Sequence, residues 1–321
     1  MKFASRTFPL CLAAAALVFT CAAPLLASPL ATESQAALPY DVQQLIVVDY
    51  QQMINSNVAM QLQKRVLPPD LKRLQDALQN SGIDVAQSVD QLAFASYRMP
   101  KSEGVSIVGI ASGQFPTTDI LANFKKKKIK GTKVRNSMIY PMGSSGMSVV
   151  FPNQTTMIFG SLESVKASLD ARDSISPSFL TNNAMQNLIP PTQNEAVWSI
   201  LDSKGTRTMM QSVMGGAAAQ VADFSSVQKR LLGSRYTMDF EHGVKFNLDV
   251  MTPDVISAAT MSSVLSAAAL YKKMGATPAE KTAIDDTNIT STGSTLEVHF
   301  SASDNDFATL LQSPLFQSVV H

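Results

Sequence analysis

Along the chain the spacing of apolar residues switches between two and three-to-four, and each switch predicts a new element. Gln44 to Tyr50 reads as a strand. Val58, Leu62, Val66, Leu71, Leu74 and Leu78 then fall at helical spacing; Pro68-Pro69 divides this stretch in two and Asn80-Ser81-Gly82 closes it. Leu92 to Tyr97 and Val105 to Ser112 are predicted strands around a turn at Lys101 to Gly104. Pro116-Thr117-Thr118-Asp119 starts a helix carrying Ile120, Leu121 and Phe124. Strands are expected at Lys133 to Tyr140, Met147 to Phe151 and Thr155 to Phe159, with a hairpin turn at Gly143-Ser144-Ser145-Gly146. A helix from Leu162 to Ala171 ends this half.

The order then recurs. Ala196 to Asp202 reads as a strand and Thr206 to Leu232 as helical sequence. Ser234 to Phe240 and Val244 to Val250 form a hairpin turning at Glu241-His242-Gly243. Thr252-Pro253-Asp254 caps a helix to about Met274, followed by strands near Thr287 to Ser291 and Ser294 to Ser301 and a short helix begun by Ser303-Asp304. The long helix, with Val255, Ile256, Ala259, Val264, Leu265, Ala268 and Ala269, is expected to face the core. Its Ser and Thr content, with Asp254 and two lysines at its ends, makes it polar for a membrane span. The pattern predicts an α+β protein of two similar halves, 37–172 and 184–321, each an antiparallel sheet backed by helices and arising by internal duplication. Residues 173–183, rich in Ser, Pro and Asn, are the expected linker.

The start of the chain has a different character. Lys2 and Arg6 precede an uncharged apolar run from Phe8 to Leu26, the layout of a secretory leader. Small residues at Ser34 and Ala36 favour cleavage after Ala36, giving a leader of residues 1–36; cleavage after Ala27 is the second choice. An uncleaved leader would be an anchor, the one route to membrane contact in this reading. Both cysteines, Cys11 and Cys21, lie within the leader. The exported chain therefore has no disulfide, thiol nucleophile or thiolate metal site. The bulky Val18-Phe19-Thr20 before Cys21 speaks against lipidation. An extracytoplasmic, periplasmic or secreted location follows.

Charged residues make up 16% of the chain and aromatics 7%, as in a globular protein. Without Lys2, Arg6 and Glu33 the 26 cations and 25 anions become 24 and 24, which points away from nucleic acid. The halves differ: 37–172 hold 15 cations and 10 anions, and 173–321 hold 9 and 14. Complementary halves of this kind can dock on each other or polarise the molecule toward a partner.

Gly82-Ile83-Asp84 followed by Val89-Asp90, Gly113-Gln114-Phe115 after a strand, and Ala196-Val197-Trp198 resemble a group of exported bacterial proteins of environmental species, acidobacteria included. The resemblance implies the duplicated α+β layout and export, and it implies no catalytic residue.

Candidate chemistry is sparse. His321 is terminal, and His242 sits in a turn. His299 alternates with Glu297 and shares a strand face with it, so a Glu–His pair could begin an acid–base or metal site, with no third ligand suggested. Gly143-Ser144-Ser145-Gly146 lacks the context of a nucleophile elbow, and Ser226-Val227-Gln228-Lys229 lacks its companion motifs. Gly109 to Gly113 and Lys204-Gly205-Thr206 are not phosphate loops. Asp304-Asn305-Asp306 reads as a helix cap. No metal or cofactor is expected. The sharpest feature is Lys125, Lys126, Lys127, Lys128, Lys130 and Lys133, six lysines in nine residues, with Arg135 beyond. Such a run either ends a helix favourably in solvent or holds an anionic partner. The sequence therefore predicts an exported, non-catalytic binding protein of the envelope, its partner a protein or an anionic envelope component. A carrier of lipid or another apolar ligand, and a hydrolase built on Glu297 and His299, are the alternatives.

Overall fold

The computed structural model describes residues 29–98, 105–190, 195–214, 229–314 and 316. In chain order the first half carries α1 (Thr32–Ala36), β1 (Val42–Asp49), α2 (Tyr50–Ile54), α3 (Asn57–Val66), α4 (Pro69–Asn80), α5 (Val85–Ser88), β2 (Val89–Arg98), β3 (Val105–Gly113) and α6 (Thr117–Lys126). It continues with β4 (Thr132–Val134), β5 (Ser137–Pro141), β6 (Ser148–Val150), β7 (Thr156–Gly160) and α7 (Leu162–Arg172). After α8 (Asn183–Gln186), the second half carries β8 (Val197–Asp202), α9 (Ser203–Met214), β9 (Gly233–Asp239), β10 (Val244–Met251) and α10 (Val255–Met274). It closes with α11 (Pro278–Asp285), β11 (Thr287–Thr292), β12 (Thr295–Ala302) and α12 (Asp304–Leu310).

Caps explain many of these boundaries. Ser56 accepts from the Ala59 amide at the start of α3, and Pro68-Pro69 separates α3 from α4 because proline's ring cannot continue a helix. The expected strand 133–140 is instead a hairpin of β4 and β5, since Arg135 takes a left-handed φ of 52° and turns the chain. The helix expected up to Leu232 ends earlier, with Lys229 and Arg230 in a turn. Residues 215–228, including Ser226, and the turn 101–104 lie outside the described residues.

The strands form one antiparallel sheet in the order β11-β12-β10-β9-β8-β1-β2-β3-β7-β6-β5-β4. The α+β expectation holds, but the sheet is continuous rather than one per half. It passes through the β1–β8 pairing, where Val47 faces Trp198 and Leu45 faces Ile200. Among the described residues the halves contribute seven and five strands, and this order by itself does not establish a duplication. Hydrogen bonding and apolar packing join the halves at the β1–β8 pairing, where among the described residues one ion pair, Arg98–Asp202 at 3.4 Å, lies beside it.

Layering differs between the two sides. In the first half one sheet face, with Val47, Ala93, Ile110 and Ile158, is buried under α1, α7 and α8. The opposite face, with Phe94, Ala111, Met157 and Phe159, packs on Leu74, Leu78, Ile120 and Phe124 of α4 and α6. In the second half this same face is covered by α3 and α12, then by α9 and α10, through Val58, Phe307, Met210, Met261 and Leu265.

The segment before β1 is part of this structure. Leu30, Ser34, Ala37 and Leu38 are buried, Phe179 donates its amide to the Leu38 carbonyl, and Ser168 Oγ bonds the Ala37 carbonyl at 2.5 Å. The stretch 173–183 is anchored by the same contacts, since Phe179 is fully buried and Pro39 bridges to Ser178.

Gly109 marks the tightest point of the first half. It lies between Phe94 and Phe159 on neighbouring strands, whose rings meet edge-to-face with centroids 5.8 Å apart. A β-carbon at Gly109 would clash with the end of the Phe159 ring, most closely with Cζ. Gly109→Ala is expected to lower unfolding free energy by about 1–3 kcal/mol through overpacking. Urea denaturation of the two proteins measures this.

Candidate functional site

The lysine run straddles the end of α6 and the edge strand β4. Phe124 buries the apolar face of α6, which leaves Lys125 and Lys126 in its last turn on the solvent side. The helix then stops in a reversed turn: Lys128 has a φ of 58°, and the Ile129 amide returns to the Phe124 carbonyl at 2.9 Å. Glycine usually fills such a position, and a lysine there costs about 1 kcal/mol. Ile129 packs on the core beneath, pinning the loop.

Lys125, Lys126, Lys127, Lys128, Lys130 and Lys133 are all exposed. Lys127 Nζ donates to the Asn80 carbonyl. None of the six makes an ion pair with a described carboxylate. Elsewhere some cations are matched, Arg73 with Asp70, Lys166 with Glu163, Arg230 with Asp254, Arg235 with Asp249 and Lys273 with Asp285, while others such as Lys64, Lys72 and Lys281 stand singly in solvent without an ion pair among the described residues. Arg135 also leaves the patch, bonding Asp170 at 2.6 Å and Asp173 at 2.9 Å. Its pKa rises, chiefly through the Asp170 bond. Burial works to raise the Asp173 carboxyl, but the Arg172 and Arg135 guanidiniums together hold it below the ordinary carboxylate range. The sequence run of seven cations is thus six unneutralised lysines and one arginine that fastens β5's hairpin to the end of α7.

The histidine candidates lie far from the lysines in strand order. His299 is on the uncovered face of the second half, where Nδ1–H donates to Asn247 Oδ1 at 2.8 Å and Nε2 is 3.9 Å from Glu297. Thr292 donates to Glu297 at 3.1 Å, and Asn247 to Thr237 at 3.3 Å. Cross-strand register places Arg235, Thr237, Asp239, Lys245 and Asp249 on this face too. It is an open polar plane, and His299 lines none of the described cavities. Strand alternation could have revealed this polar face in advance, because the β10 positions Lys245, Asn247 and Asp249 alternate with Val244, Phe246, Leu248 and Val250. His242 is exposed in its turn beside Glu241, and His321 lies outside the described residues. Ser303 caps α12, with Asp304 and Asp306 in its first turn. No group of three or more metal-ligating side chains occurs among the described residues.

Concavities are small or open. An apolar cleft lined by Tyr50, Leu71, Leu74, Phe94, Met157 and Phe159 has about 60 Å³. A more polar hollow of about 240 Å³ lies at the seam, by Arg98, Asp202 and Asn182.

No family model matches the chain, and no curated protein matches it. Among solved structures the chain is similar to TP0453 in its crystal form I, with a TM-score of 0.50 and 10% identity over 89% of this chain and 98% of that one. Crystal form III of TP0453 has a TM-score of 0.49 and 9% identity over 86% and 96%. At such identity the first likeness speaks for the α+β fold alone.

Proposed function

We propose that this chain is an exported, non-catalytic envelope protein that holds an anionic partner on the lysine-rich end of its sheet. The observation that carries the reading is the clustering of unpaired positive charge at one corner of the fold. Many described cations sit within reach of a carboxylate, whereas six lysines gather at the α6–β4 corner without one. Like charges held together repel, and a bound polyanion relieves that repulsion while releasing its own counterions. A lysine kept in a left-handed backbone position, where glycine is easier, fits a patch retained for its charge.

The alternatives fit less well. A lipid carrier needs an enclosed apolar chamber, and the apolar cleft of about 60 Å³ is far below the usual ligand-pocket range of roughly 300–1,000 Å³. Among the described residues the Glu297–His299 pair lies on an open plane, with no cleft at it to exclude water from a hydrolytic step.

Replacing Lys125, Lys126, Lys127 and Lys128 together by glutamate tests the proposal. With each lysine worth about 1 kcal/mol against an anionic surface, affinity for polyphosphate and for vesicles rich in anionic lipid should fall at least about 100-fold. Wild-type binding should weaken steeply as salt rises. Unchanged capture by the reversed variant would remove the patch from the function.

Export also implies a processing site. Leu30 and Ser34 are buried in the fold, so the proposed leader ends before them, after Ala27.

A further inference from the structure

α10 is apolar on nearly every side, and the fold covers only part of it. Ser257, Ala258, Met261, Val264 and Leu265 are buried against β10, β11 and β12. The face expected to be core is only half core, because Val255, Ile256, Leu270, Tyr271 and Met274 remain 61%, 77%, 66%, 57% and 82% exposed. Ile256, Ala259, Ser263, Ala267, Leu270 and Met274 follow one another at steps of three and four, a straight stripe along the outer side. The hydroxyls there are already satisfied: Ser263 bonds the Ala259 carbonyl at 3.0 Å and Thr260 the Ile256 carbonyl at 2.8 Å. No charged residue stands between Asp254 and Lys272.

We propose that this stripe is a two-fold interface on which a second copy of the chain lays its own α10 antiparallel. Three features favour that occupant. Reversed on itself at the level of Leu265, the stripe sets Ile256 against Met274 at both ends and Ser263 against Ala267 at the middle, with Ala259 opposite the neighbouring Tyr271, so bulky residues meet at the ends and the centre is slim enough for close approach. The absence of charge along it lets two identical faces meet without repulsion, and antiparallel helix dipoles attract. The exposed apolar area is on the order of 600 Å², at the upper end of what a monomer shows in one patch. Doubled, it reaches roughly 1,200 Å², where specific interfaces begin.

The register gives a test that generic stickiness does not pass. In the mature chain, Ile256→Glu with Met274→Glu places like charges opposite each other twice, whereas Ile256→Glu with Met274→Lys places opposite charges there. Sedimentation velocity from 1 to 100 μM is expected to show a wild-type dimer. The first double variant should be monomeric, its dimerisation at least roughly tenfold weaker, and the second should be a dimer again. Both substitutions are on exposed positions, and far-UV circular dichroism confirms that each variant is folded. A wild type that stays monomeric throughout this range overturns the proposal, whether or not the same sample floats with lipid vesicles. So do double variants that behave alike.

Discussion

Trp198→Ala is expected to remove about 3–5 kcal/mol of folding stability, the largest loss from any single substitution considered for this chain. Trp198 is 2% exposed and is the bulkiest of the fully buried side chains. It stands on β8 opposite Val47 of β1 and Thr237 of β9, at the pairing that makes one sheet of two halves. Its ring belongs to a cluster that also holds Leu38, Leu45, Phe179 and Met185, which brings together residues from the start, the middle and the second half of the sequence. Truncation leaves a cavity that strands on both sides cannot close without breaking register, so little of the cost is recovered by relaxation. Guanidinium denaturation followed by circular dichroism measures the change. A loss under about 1 kcal/mol would mean that the seam does not depend on this side chain.

A second expected effect follows from the proposed leader and where it would end. A chain starting at Ala37 should be less stable than one starting at Ser28 by about 2–4 kcal/mol. Burial of Leu30 contributes about 2 kcal/mol. Gln35 adds bonds to the Leu30 carbonyl at 2.8 Å and from Gln186 at 3.0 Å, each worth about 1 kcal/mol net. Part of that is offset by the cost of ordering the segment. Ser34 meets Ser112 at 3.2 Å, and Asn153 reaches Glu33 at 3.4 Å, so α1 ties β3 and the β6–β7 turn together. Under the proposed export, intact-mass analysis of the processed protein should therefore give Ser28 as its first residue. A mature protein beginning at Ala37, with undiminished stability, would contradict the assignment.

Small-residue rules at Ser34 and Ala36 point to the later cleavage position, and those rules see only the chain's local chemistry. Nothing in residues 29–36 announces that Leu30 will be buried in a cluster that also holds Val165, Leu169 and Phe179. The helix α11 is a different case. Thr277, Pro278 and Glu280 form a capping box that was readable in the sequence, with Thr277 accepting from the Glu280 amide and Glu280 from the Thr277 amide. Its absence from the periodicity reading reflects how few apolar residues an eight-residue helix carries. The lysines were visible as a run, but their significance depends on which carboxylates come near. Arg135 shows this, because Asp170 and Asp173 approach it only through the packing of α7 against the β5 hairpin.

By itself the sequence determined most of the strands and helices, their antiparallel kind, the α+β class, and the position of the cationic run. Period, caps and turn residues are local properties, and they act over a few neighbours. Tertiary structure alone decided that the halves share a single sheet and that the outer side of α10 is left bare. A helix apolar all round carries no mark of which side will be covered, and a strand edge no mark of which strand will meet it. Those outcomes belong to long-range packing, where many weak contacts act together.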